Sequence, residues 1–204
     1  MEELAPDRAE IIQAEDSAVK KKRIFMKKIL TILAEGFEEI EAVAVIDVLR
    51  RAEFEVCIAG LDSLTARGAH GVTITADCLL SEAKEDFDAV FLPGGLPGST
   101  NLLESETVGK LLKAANARGA VISAICAAPI VLAKHGLLTG KRFTMYPGFD
   151  EYLGGMSPSG LPAERDGRIV TGKGPGAVFA FVRELASALG KDITPVFGGM
   201  FVNF

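Results

Sequence analysis

From residue 28 onward, short apolar runs alternate with longer stretches whose apolar positions recur at helical spacing. "KILTILA" (28–34) reads as a buried strand. "EEIEAVAVIDVLRRA" (38–52) reads as a helix, with Ile40, Val43, Val45 and Val48 among its apolar positions. "FEVCIAG" (54–60) is a second strand, "ARGAHGVTITAD" (66–77) a turn with a short strand, and "FDAVFLPGG" (87–95) a strand closing in a glycine turn. "SETVGKLLKAANARG" (105–119) is a helix with a glycine stop, and "AVISAI" (120–125) is the next strand. "AAPIVLAKHG" (127–136) is a helix ended by Gly136. "RFTMYP" (142–147) and "RIVTGKGPG" (168–176) read as later strands with loops, and "AVFAFVRELASALG" (177–190) as a helix.

Strands separated by helices of this length pair in parallel through right-handed crossovers. The expected fold class is therefore α/β, a flavodoxin-like three-layer sandwich with a mostly parallel sheet. Ligands of such sheets gather at the carboxyl ends of the strands. "AEGFEE", "LPGGLPG" and "AICAAP" all sit at ends of that kind.

The 204 residues are 49% hydrophobic and 24% charged, consistent with an ordinary globular chain forming one domain over 26–204. Residues 1–25 are polar and end in "KKKR" before "MKKILTILAEGFEEIE", which itself resembles a protein start. They are expected to be a poorly ordered extension; the rival reading is a short amphipathic helix using Ile11, Ile12 and Ala14. They contain no apolar h-region, and no run of about 18 apolar residues occurs, so neither a secretory signal nor a membrane span is expected. The net charge of −5 argues against nucleic acid as a partner. Three cysteines without CxxC spacing argue against a disulfide framework and against a metal site, and point to the cytoplasm.

Cys126 lies where a strand turns abruptly into a helix, the geometry of a nucleophile elbow. Unpaired N–H groups and the dipole of the following helix are expected to lower its thiol pKa. Ala124, Ala127 and Ala128 permit a cramped turn, and Pro129 suits the first helical turn. Cys57, in mid-strand, reads as inert packing. Cys78 reads as more exposed, with nothing nearby to activate it.

"LAEGFEEIEA", "LPGG", "AICAAP" and "GPG" (174–176), in that order and spacing, resemble the ThiJ/PfpI superfamily, a class I glutamine amidotransferase-like fold. The resemblance covers about residues 27–190 and is strongest to the branch of the parkinsonism-associated protein deglycase and its bacterial ThiJ-like relatives. It implies that Cys126 is the reactive, oxidation-sensitive cysteine and that Glu41 is the glutamate whose protonated carboxyl hydrogen-bonds the sulfur. It also implies that Gly94 and Gly95 form the glycine turn, with the backbone of Gly94, Gly95 and Ala127 binding an oxyanion or sulfinate and the Gly95 and Ala127 amides directed at it. Tyr146, Gly174 and Pro175 are expected to line the pocket. A homodimer is implied, with helix 38–52 and the segment around His70 near the interface. Glu38 and Glu39 are expected to face solvent or support the helix N-terminus.

One position departs from the branch. Where the deglycase has a histidine in a "Thr-His-Pro" segment, this chain has "TMYP", with Tyr146 at the histidine's place. Only His70 and His135 remain. His135 follows Cys126 by nine residues, roughly 13 Å along a helix axis, and His70 could approach only from a partner subunit. Glu41 is thus left to handle protons, with a pKa expected to be raised beside a thiolate.

Two functions follow. One is a cysteine-dependent glyoxalase or deglycase acting on methylglyoxal or glycated adducts without a cofactor. The other is a redox-responsive protection protein or chaperone whose Cys126 oxidises to a sulfinate. Peptidase or amidotransferase chemistry needs a histidine beside the cysteine, and neither histidine fits. The expected partners are a small carbonyl substrate or oxidant and a second copy of the chain.

Overall fold

The computed structural model describes residues 26–84 and 86–203. Both readings of residues 1–25 lie outside the described residues. The central run forms β1 (Lys28–Leu33), whose side chains alternate between two separate cores. Ile29 and Leu33 join one core, while Leu30 and Ile32 join the other. A strand covered on both faces needs apolar residues at every position, which is why the sequence reads as a continuous run rather than an alternation.

The strands that follow are β2 (Glu55–Gly60), β3 (Thr65–Arg67), β4 (Thr73–Thr75), β5 (Cys78–Leu79), β6 (Ala89–Leu92), β7 (Val121–Ile125), β8 (Ala163–Asp166) and β9 (Ile169–Gly172). Seven of them form one sheet in the order β5-β2-β1-β6-β7-β9-β8. Every pairing in it is parallel except that of β8 with β9. The helices are α1 (Glu39–Arg51), α2 (Gly98–Glu104), α3 (Glu106–Ala117), α4 (Pro129–Lys134), α5 (Val178–Ala188) and α6 (Thr194–Gly199). α1, α5 and α6 cover one face of the sheet, and α2, α3 and α4 cover the other. This is the three-layer α/β sandwich expected, and no helix among the described residues is long and apolar enough to cross a membrane.

Several local expectations are corrected. "RFTMYP" (142–147) is not a strand. β9, whose Thr171 it bonds to, is already paired by β7 on one side and β8 on the other, so the segment cannot join the ladder there. Its backbone is satisfied elsewhere: Thr144 N–H donates to Thr171 Oγ1 at 2.8 Å, and Tyr146 N–H donates to the Cys126 carbonyl at 2.9 Å. Segment 66–77 forms part of a two-stranded hairpin, β3 with β4, rather than one strand. α2, α6, β5 and β8 had no counterpart in the sequence reading. Of the apolar positions on α1, Val45 and Val48 are buried, whereas Ile40 and Val43 point outward, 58% and 48% exposed.

Strand order reverses about β1: the next strand in sequence, β2, lies on one side and β6 on the other. Ligand sites in open parallel sheets form at this switch point, beyond the carboxyl ends of the strands. The segments after β1, β6 and β7 carry Glu41, Gly94 with Gly95, and Cys126.

Candidate active site

Cys126 follows β7 directly and has φ +64°, one of three non-glycine residues at positive φ among those described. An L-residue held in this region costs on the order of 1–2 kcal/mol. Two backbone bonds hold it there. Cys126 N–H donates to the Gly172 carbonyl at 2.9 Å, and its own carbonyl accepts from Tyr146 N–H. The strained turn carries the half-buried sulfur out of the sheet, as expected of a nucleophile elbow.

Glu41 is completely buried on the first turn of α1. Its Oε2 accepts from Gly94 N–H at 2.8 Å, whereas Oε1 has no hydrogen-bond partner. The carboxyl and the Cys126 thiol act on each other. Burial raises the Glu41 pKa to about 7, against the pull of the Gly94 amide and of Cys126. Burial and the Glu41 charge push the Cys126 thiol up to about 12, against the Ala127 and Gly95 amides, which face the sulfur and favour its ionised form. This overturns the expected lowering of the thiol pKa. α4 has only six residues and begins three residues beyond the cysteine, so burial and a neighbouring carboxylate outweigh it. Between about pH 7 and pH 12 the pair therefore carries a single negative charge and a single proton, because two adjacent buried anions repel.

The two glycines serve different ends. A Cβ on Gly94 would lie 2.5 Å from Cys126 Cβ and 2.7 Å from Glu41 Oε2, so only glycine lets thiol and carboxyl meet there. Its N–H belongs to Glu41, which corrects its expected place among the anion-binding amides. Gly95, at φ +91°, turns its amide toward the sulfur. Tyr146, Gly174 and Pro175 do line a common pocket of ≈ 390 Å³, with Pro147, Pro162 and Lys173. Tyr146 joins that pocket to the elbow through its bond to the Cys126 carbonyl.

Neither histidine reaches the sulfur. The His135 ring packs on Gly109 of α3, where an added Cβ would lie 2.4 Å from Cε1. His70 Nδ1 lies 2.8 Å from Glu39 Oε2.

Glu38 and Glu39 do not face solvent; both are buried. Glu38 caps α1, accepting from Glu41 N–H at 2.6 Å, and so fixes the backbone that presents the Glu41 carboxyl. Glu39 Oε1 accepts from His70 N–H at 2.6 Å. This ties α1 to the loop before β4. Glu38, Glu39 and His70 offer ligand atoms within 4.8 Å of one another, but the bonds just described already engage all three. The sequence signal for Glu38 was its place three residues before Glu41, the spacing at which a cap reaches an N3 amide.

A family model described as DJ-1/PfpI family matches residues 27–188. The chain belongs to the DJ-1/PfpI family. It is 41% identical over 184 residues to Protein dj-1beta of Drosophila melanogaster, covering 87% of this chain and 98% of that protein. The crystal structure of Drosophila melanogaster DJ-1beta superposes with a TM-score of 0.82 at 38% identity, covering 88% of this chain and 100% of the other. The chain is also 35% identical to a protein named glutathione-independent glyoxalase in Caenorhabditis elegans, over 76% of this chain and 84% of that one. It is 30% identical to a protein named deglycase in Pyrococcus abyssi, over 79% and 99%. The match spans all the elements that carry Glu41, Gly94, Gly95, Cys126 and Tyr146.

Proposed function

We propose that this chain is a glyoxalase- or deglycase-type enzyme that uses Cys126 and Glu41 on methylglyoxal or glycated adducts and needs no external oxidant or reductant. The observation that carries this reading is the strained Cys126 brought against the fully buried Glu41 carboxyl across Gly94. The names of the worm and archaeal relatives support the same class of reaction.

Glu41, a carboxylate above about pH 7, takes the thiol proton as the Cys126 sulfur adds to the aldehyde carbon and forms a C–S bond. The carbonyl oxygen takes that proton back from Glu41 and becomes the hydroxyl of a hemithioacetal. The Gly95 and Ala127 amides support the negative charge as it moves from sulfur to oxygen. Glu41, now a carboxylate, removes the hydrogen from that carbon and returns a proton to the neighbouring carbon, converting hydroxyl and ketone into a thioester and a secondary alcohol. Water then cleaves the thioester to lactate and restores the thiol. Methylglyoxal plus water gives lactate: one carbon is oxidised and its neighbour reduced, so the electrons balance within the substrate. Tyr146 and Pro175 wall the pocket where the rest of the substrate lies.

The test is lactate formation from methylglyoxal by the wild-type chain and by Cys126→Ser. Turnover in the wild type alone supports the reading; equal rates in both would end it.

A second reading rests on the lack of an imidazole at the sulfur. Oxidation of Cys126 to a sulfinate would place an anion where the Gly95 and Ala127 amides and a protonated Glu41 can hold it, with no histidine required. Mild peroxide should then add two oxygens to Cys126 before it modifies either other cysteine.

The exposed Ile40 and Val43, one turn apart on α1, and the exposed Val72 on the loop tied to Glu39 suit a homodimer interface on that face. The three cysteines are free thiols, in keeping with a cytoplasmic setting.

A further inference from the structure

Cys57 and Cys78 stand 21 residues apart in the sequence, with no motif that links them. The fold brings them together. β2 and β5 run in parallel at the edge of the sheet, with Ala59 beside Cys78. Residues 57 and 59 share a face of β2, so Cys57 and Cys78 project to the same side as diagonal neighbours. Their sulfurs lie 3.8 Å apart. Both are half-buried against the core that contains Ala59 and Leu80. No third carboxylate, imidazole or thiol completes a metal-sized cluster around them among the described residues.

We propose that Cys57 and Cys78 form a redox-active thiol pair, separate from Cys126, that closes to a disulfide when oxidised by a peroxide. A disulfide needs the sulfurs at about 2.05 Å, a closure of under ~2 Å that rotation about the two Cα–Cβ bonds and a shift of β5 can supply. β5 has only two residues and pairs on one side alone, so it is the compliant member. Burial and the neighbouring Cys78 push the Cys57 thiol up to about 12, which makes Cys57 the poorer first nucleophile. Cys78, on the edge strand, therefore meets the oxidant. Its sulfur attacks one peroxide oxygen, the O–O bond breaks, water leaves, and Cys78 becomes a sulfenic acid. The Cys57 sulfur then displaces the second oxygen as water, taking with it the Cys57 proton. Two thiols and one hydrogen peroxide give one disulfide and two waters. The product clamps β5 to β2 and involves no residue of the Cys126 site.

The test uses the full chain carrying Cys126→Ser, so that only the two thiols in question remain. One equivalent of hydrogen peroxide is added, then thiols are titrated in denaturant and the intact and digested masses are measured without reduction. The expected result is a fall from two thiols to none, a mass loss of about 2 Da per monomer, and a peptide linking residues 57 and 78. Dithiothreitol should restore both thiols. Adding Cys57→Ser should stop Cys78 at a sulfenic acid that dimedone traps. Unchanged thiols, gains of about 16 or 32 Da on separate cysteines, or cross-links between chains would each overturn the proposal.

Discussion

Glu41 and Cys126 set each other's protonation, and substitutions at either separate the contributions. Glu41→Gln removes the charge that helps push the thiol upward. The pH midpoint of Cys126 alkylation by iodoacetamide is therefore expected to fall in that variant; an unchanged midpoint would mean that burial alone raises the thiol. Glu41 also links folding to pH. Its pKa is raised in the folded chain from 4.5 to about 7, so the folded state holds a proton that the unfolded chain has already released. Stability is full below about 4.5 and declines as pH rises through 7, by on the order of 3 kcal/mol. Denaturant titrations between pH 4 and 8 should show this slope in the wild type and lose it in Glu41→Gln. Gly94→Ala is expected to abolish turnover, since the added methyl meets both Cys126 and Glu41. The pairing of Cys126 with Glu41 was legible because their flanking motifs are distinctive. The burial of Glu38 and Glu39 was not, because two carboxylates at a helix start read equally well as solvated dipole partners until the loop carrying His70 is placed against them.

At the scale of elements, α1 positions the proton-handling group through its cap. Glu38 accepts from the very amide of Glu41, so Glu38→Ala should cost about 1 kcal/mol of stability. Because it also loosens the first turn, it is expected to lower kcat more than it raises KM. A stability loss with unchanged kcat would restrict Glu38 to capping. β1, α1, β2, β6, α3, β7 and α4 followed from the apolar pattern, since a strand buried on both faces reads as a continuous apolar run and a helix as a 3.6-residue period. α2 and β5, short and without either signature, did not. Nor did segment 142–147. Its apolar residues Phe143 and Met145 are buried as a strand's would be, but its amides bond to Thr171 and to the Cys126 carbonyl, contacts that no local pattern encodes. β8, "AERD", escaped notice for the opposite reason: it is an edge strand with partly exposed polar side chains and no apolar signature.

For the whole molecule, the sandwich architecture was legible because helical stretches separate β1 from β2, β6 from β7 and β7 from the later strands, and the site was legible because the switch point falls where the glycine and cysteine turns lie. What the sequence hid is the outward direction of Ile40 and Val43, which apolar spacing alone does not separate from the buried Val45 and Val48. If that face joins two copies, Ile40→Glu with Val43→Glu should convert a dimer to a monomer in light scattering. A wild-type monomer, or a variant that stays dimeric, would remove this face from the assembly.

The central claim is that a cysteine and a buried carboxyl, without histidine, carry the reaction by sharing one proton. It is tested most directly by the pH profile of lactate formation from methylglyoxal, from pH 6 to 9, in wild type and Glu41→Gln. The wild-type rate should rise through about pH 7, as the pair passes from two protons to one, and Glu41→Gln should fall by at least ~100-fold, the usual contribution of a positioned acid–base group. A Glu41→Gln chain that keeps the wild-type rate and profile would contradict the account.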